Sequence, residues 1–257
     1  MTRHLERIDS EDASAIQSRQ WNSVDKKLEM YQYNPYITDV NYEDNSKNRE
    51  YKQSFIEKRP DVIVSSPFLR CMQTALIIAN ATGVPNIHID FGLSEVVDNS
   101  TIRRFAPKES ADGDRFRGTI PLDVSQIYEY SLEHFRTKET GVDISKFILS
   151  NSEPRFIDNE SRVDDYGFIE ESPDARIVYY DRIKVTLKNI NTRFTGKKVL
   201  VVTHADAYFP FNDDGKLMSY RQIYTIPIPK LVIMDGGSLS GRISKKYKIL
   251  WGKVLKL

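Results

Sequence analysis

The sequence predicts an α/β protein: a three-layer α/β/α arrangement with a mostly parallel central sheet. Three observations carry this. Val62-Ile63-Val64 and Lys198-Val199-Leu200-Val201-Val202 are short, almost wholly apolar runs, as strands covered on both faces require. Stretches of helical periodicity separate the strand candidates, the pattern of strand–helix–strand units. The chain has 257 residues, 40% of them hydrophobic and 28% charged. That suffices for one large soluble domain spanning 1–257.

The elements follow in order. Residues 8–27 are polar with a helical leaning. Residues 28–50 collect Tyr31, Tyr33, Pro35, Tyr36 and Tyr42 among Asn and Asp, which is loop chemistry with aromatic anchors. Residues 47–58 suit a helix that stops before Pro60. After the strand at 62–64, a helix over about 68–82 sets Leu69, Met72, Leu76 and Ile77 on one stripe and ends near Gly83. Ile87-His88-Ile89 is a second short strand. The charged stretch 98–122, broken by Gly113 and Gly118, reads as a solvated surface insertion.

Residues 123–150 carry helical spacing through Ile127, Tyr130, Leu132 and Phe135, and on through Ile144, Phe147 and Ile148. Another helix is expected over 171–195, with Asp174 in its first turn and Ile177, Tyr180, Ile183, Val185, Leu187 and Ile190 on its apolar side. The runs 231–234 and 247–251, joined through Asp235-Gly236-Gly237-Ser238, suggest antiparallel strands at the end of the fold.

Charge and cysteine content narrow the function. A net charge of +1 gives no global pull toward nucleic acid or membrane, so neither is expected as a partner. Any anion binding must come from a local cluster. The single cysteine, Cys71, permits no intrachain disulfide and falls on the apolar side of its helix. With a charged N-terminal stretch and no apolar run approaching ~18 residues, a cytoplasmic location is expected.

Three fragments carry chemistry. In Ser65-Ser66-Pro67-Phe68-Leu69-Arg70 a strand runs into a helix with Arg70 in its first turn, which would aim backbone N–H groups and a guanidinium at one point. His4 stands between Arg3 and Arg7, and His204 ends the strongest strand. In an open parallel sheet the carboxyl ends of strands share one edge, where ligands bind. Crowded cations there need an anion, and phosphate is the natural occupant. A neutral imidazole could attack phosphorus, with Glu95, just past the strand at 87–89, protonating the leaving oxygen.

These residues resemble the histidine phosphatase superfamily, also called phosphoglycerate mutase-like, branch 1. Arg3-His4-Leu5-Glu6-Arg7 is similar to its Arg-His-Gly-x-Arg signature. Ser65-Ser66-Pro67-Phe68-Leu69-Arg70-Cys71-Met72-Gln73-Thr74-Ala75 is similar to its Ser-Ser-Pro-x-x-Arg-x-x-Gln-Thr-Ala segment. Gly92-Leu93-Ser94-Glu95 resembles the acid-bearing segment and Val202-Thr203-His204-Ala205 the second-histidine strand. The matches fall in family order from residue 3 to 205. Arg-His-Leu-Glu-Arg-Ile-Asp further resembles the phosphatase domains of the suppressor-of-T-cell-receptor-signalling type.

The resemblance implies that His4 accepts the phosphoryl group, that Arg3, Arg7, Arg70 and His204 hold the phosphate, and that Glu95 donates the proton. It implies no metal and no cofactor. The expected partner is a phosphorylated substrate, small molecule or phosphoprotein; the oligomeric state is open, a homodimer included. Two departures stand out. Leu5 replaces glycine or another small residue, which would cost roughly 1–2 kcal/mol if its φ were positive and would only narrow the pocket if negative. Only Met1 and Thr2 precede the signature where the family has its first strand; either that strand is a stub, which would bring a free amino group near the phosphate, or the chain begins further upstream. The expected function is therefore a phosphomonoester hydrolase, with a catalytically weak phosphate-binding or scaffold protein and a phosphoglycerate-type mutase as alternatives.

Overall fold

Alternation along the central strands builds two cores on one sheet. The computed structural model describes residues 1–7, 34–95, 124–152, 175–211 and 219–226. Its strands are β1 (Thr2–Arg3), β2 (Val62–Ser65), β3 (Ile87–Asp90), β4 (Phe147–Asn151) and β5 (Val199–Thr203). They pair in the order β1-β5-β2-β3-β4, every pair parallel. Ile63, Ile87, Ile89, Leu200 and Val202 face one side, Val64 and Val201 the other. The two faces explain the unbroken apolar runs.

Helices α1 (Ser46–Lys58), α2 (Leu69–Thr82) and α3 (Val124–Thr137) cover the first face. Asn45 caps α1, its side chain accepting from the Asn48 N–H at 2.9 Å. Gly83 closes α2 at φ 75°, a left-handed conformation that favours glycine. In α3 the buried stripe is Val124, Ile127, Tyr128, Ser131, Leu132 and Phe135. Helix α4 (Ala175–Arg193) covers the second face with Tyr179, Tyr180, Ile183, Leu187 and Ile190, joined by a 3₁₀ stretch over Ala205–Phe211. The result is the expected three-layer α/β/α fold.

Three expectations need correction. The helical spacing does not run through 150. Beyond Thr137 the chain turns, and Phe147 and Ile148 belong to β4, with Phe147 in the core and Ile148 exposed on the sheet's edge. Val185 is 52% exposed, so it lies off the buried stripe of α4. The first strand spans Thr2–Arg3, and the Met1 amino group is not near the phosphate site. Met1 N donates to the Tyr224 carbonyl at the opposite end of β1, where burial and then Lys58 bring its pKa down to about 5. Residues 219–226 run along the outer edge of β1, with an antiparallel bridge from Thr2 to Ile223 and a bond from Tyr224 N to Met1 O at 2.8 Å. The readings for 8–27, the insertion 98–122, Asp174 and the strands at 231–251 lie outside the described residues.

Candidate active site

Parallel pairing sets the carboxyl ends of β1, β2 and β5 side by side. β1 delivers Arg3 and His4, β2 runs into Ser65 and Ser66, and β5 ends at Thr203 and His204. His4 is locked in register by its N–H donating to Thr203 O at 2.9 Å. The His4 and His204 rings meet edge to face at 5.5 Å between centroids, both buried. β3 continues through a 3₁₀ turn, Phe91–Leu93, which carries Glu95 to the same point. Glu95 Oε2 lies 3.0 Å from His204 Nδ1 and 3.3 Å from Arg70 Nη2. Four of the expected residues thus converge.

The neighbours assign both tautomers. His4 Nδ1 lies 2.7 Å from the Leu5 carbonyl, which can only accept, so Nδ1 carries the proton and Nε2 keeps a lone pair. His204 Nδ1–H donates to Glu95, and its Nε2 takes the Ser66 hydroxyl at 2.9 Å. Burial, then Arg70, His204, Arg3 and Arg7, holds the His4 pKa well below its ordinary value. A neutral His4 with a free Nε2 is a competent nucleophile. Burial is also the main cause that lowers His204 to about 4, against the upward pull of Glu95. Burial alone would push the Glu95 carboxyl up, but His204, Arg70 and Arg7 outweigh it and keep Glu95 below the usual carboxylate range.

Arg3 and Arg7 approach from the flank. Arg3 lays its guanidinium over the Tyr220 ring at 3.8 Å and donates to the Tyr220 hydroxyl at 3.0 Å. Tyr220 also sits 5.8 Å from the His4 ring. Arg7 is fixed by an antiparallel bridge to Ile37, and its charge reaches both His4 and Glu95. The donor atoms of His4, Glu95 and His204 lie within 4.8 Å of one another, a spacing that could hold a cation. Yet Arg70 Nη2 stands 3.3 Å from both Glu95 and His204, and its charge opposes a metal ion and suits an anion.

The helix N-terminus behaves differently from the sequence reading. Leu69 N–H is taken by Asn34 Oδ1 at 2.6 Å and Phe68 N–H by Ser66 Oγ at 3.4 Å. These two N–H groups are therefore not free for a phosphate, and α2 sends the guanidinium of Arg70 into the site. Leu5 is not strained: its φ is not positive, its side chain is 1% exposed in the core, and its N–H donates to Thr74 Oγ1 at 2.9 Å. Cys71 lies buried against His204, and burial pushes its thiol up to about 12, which makes it inert packing. Ser66 lies inside the Ser-Ser-Pro motif, whose spacing gives its hydroxyl no role, and Tyr220 and Asn34 lie in polar loops with no periodic signal.

The turn bearing Glu95 is tightly built. Asp90 accepts from the Gly92 N–H at 2.9 Å, and Thr203 Oγ1 donates to Leu93 O at 3.1 Å. A Cβ on Gly92 would meet Thr186 Oγ1 at 2.1 Å and its Cβ at 3.0 Å. Thr186 is short and buried on α4, so it cannot swing away. Gly92→Ala is expected to cost about 1–3 kcal/mol of stability, read by urea unfolding. Adding Thr186→Gly should restore part of that loss.

The two buried histidines also set a pH dependence. Their pKa values are lowered in the folded state, so the unfolded chain binds protons first. The stability they contribute is complete above the unfolded value of 6.5 and is lost as pH falls toward the His204 value of about 4. The unfolding free energy should drop across that window by up to about 1.4 kcal/mol per pH unit for each histidine. His204→Gln should flatten the slope; an unchanged slope would assign the titration to other groups.

No curated protein matches the chain. Residues 42–101, which hold α1, β2, α2, β3 and the Glu95 turn, match the family model of the histidine phosphatase superfamily (branch 1). The match does not reach the finer likeness to domains of the suppressor-of-T-cell-receptor-signalling type. The parallel five-stranded sheet between helical layers is the fold that this superfamily model leads one to expect, and the superfamily's phosphatase or mutase-type chemistry is the class to which the match points.

Proposed function

We propose that this chain is a metal-independent phosphomonoester hydrolase that works through a phosphohistidine on His4. The observation that carries the reading is the convergence of the His4 ring, His204, Arg70 and Glu95 at one sheet edge. The ester's phosphate takes the place of the Glu95 carboxylate between Arg70 and His204, with Arg3 and Arg7 closing the positive flank. His4 Nε2 forms a bond to phosphorus as the bond to the ester oxygen breaks. The arginines and His204 stabilise the equatorial oxygens. Once a dianion offsets the nearby cations, the Glu95 pKa rises, and its carboxyl protonates the departing alkoxide. Glu95 then takes a proton from water as water attacks phosphorus and the P–N bond breaks.

Arg7 favours hydrolysis over phosphoryl shuttling, because the glycolytic mutases favour serine at that position. Leu5 gives no ground for the scaffold alternative, since it is unstrained. A buried free cysteine suits a reducing, cytoplasmic setting, and among the described residues no helix is long and apolar enough to cross a membrane. The test is a panel of phosphomonoesters turned over in the presence of a chelator. Steady release of inorganic phosphate without a bisphosphate primer is expected. Phosphate binding with no turnover would favour the scaffold, and dependence on a primer would favour the mutase.

A further inference from the structure

Arg182 on α4 has no place in the motifs, yet it grips the turn that presents Glu95. Its Nη1 donates to the carbonyls of Gly92 at 2.8 Å and Ser94 at 3.2 Å, and its Nη2 reaches the Glu95 carbonyl at 3.5 Å. The guanidinium lies 5.0 Å from the centroid of the Tyr179 ring on the same helix, which sets its plane. One turn further along α4, Thr186 presses on Gly92. A rigid planar fork that spans three carbonyls of one turn joins that turn to α4 as a unit; an ammonium, a point charge on a flexible stem, cannot span them in the same way.

We propose that Arg182 is a positioning residue for proton donation by Glu95. Its role is to fix the backbone of residue 95, so that the carboxyl meets the leaving oxygen opposite His4 when the phosphate occupies the Arg70–His204 pocket. The inference rests on the proposed donor role of Glu95. It adds that this donation depends on a guanidinium outside the phosphate pocket. A displaced acid slows phosphoryl transfer to His4 only where the leaving oxygen needs its proton, whereas the later attack of water is common to every ester. The effect on kcat/KM, which ends at departure of the leaving group, must therefore vary with that group.

The experiment compares an alkyl phosphate, whose alkoxide needs a proton, with p-nitrophenyl phosphate, whose phenolate leaves without one. Arg182→Gln should lower kcat/KM on the alkyl ester by on the order of 10²-fold and on the aryl ester far less, with vanadate affinity unchanged. Arg182→Lys should recover little. Glu95→Gln should show the same leaving-group dependence, and Arg182→Gln on that background should add nothing further. Equal losses of kcat/KM on both esters for Arg182→Gln, or a further loss of it in the double variant, would overturn the positioning role. If Glu95→Gln itself shows no leaving-group dependence, the donor assignment of Glu95 fails, and the role of Arg182 with it. If Arg182→Gln reaches too little folded protein, the Arg182→Lys ratio of the two esters, with vanadate-shifted Tm as the check on folding, decides the same question.

Discussion

His4→Ala is expected to lower turnover of every phosphate ester by on the order of 10⁴- to 10⁶-fold while leaving the fold intact. The ring is buried at the end of β1, its Nδ1–H held by the Leu5 carbonyl and its backbone by Thr203. Alanine keeps the backbone bonds and removes the neutral imidazole to which the attack on phosphorus is assigned. Because the ring carries no net charge in the folded state, its loss orphans no buried ion. Steady-state phosphate release on matched wild-type and variant protein reads the effect. A residual rate within tenfold of wild type would move the nucleophile elsewhere.

Arg70→Ala should produce the other large effect, on both stability and binding. The side chain is 1% exposed, packs over the Phe68 ring and pairs with Glu95. Removing it leaves the largely buried Glu95 carboxylate with the His204 ring and the more distant Arg7 charge, at a cost of about 3 kcal/mol. Phosphate affinity should fall by about 10²-fold, because the guanidinium is the deepest cation facing the anion. The two effects separate in Arg70→Ala combined with Glu95→Gln. Removing the stranded charge should recover much of the stability and none of the affinity. Recovery of both would mean that Arg70 acts through Glu95 alone.

The sequence made the sheet edge legible because strand ends and chemistry coincide there. Val199–Val202 runs into His204, Val62–Val64 into Arg70, and a parallel sheet brings such ends together without any further information. What stayed hidden depended on contacts between elements remote in sequence. Phe147 keeps helical spacing from Ile144, and only pairing with β3 makes it strand. Val185 looks apolar along the chain, but the face of α4 that touches the sheet is set by Ile183, Leu187 and Ile190. Leu69 N–H points to Asn34 because the loop before α1 folds over the start of α2. Tyr220 reaches Arg3 because residues 219–226 follow the edge of β1, a contact 217 residues away along the chain. Local periodicity carries no record of these.

The central claim is that phosphorus becomes bonded to nitrogen at position 4. Rapid acid-free quenching after mixing with a phosphate-labelled ester, followed by peptide mapping, measures it directly. The label is expected to survive base, to be released by acid, and to map to the peptide containing His4, vanishing in His4→Ala. A label that is stripped by base, or that persists at full strength in the variant, would contradict it.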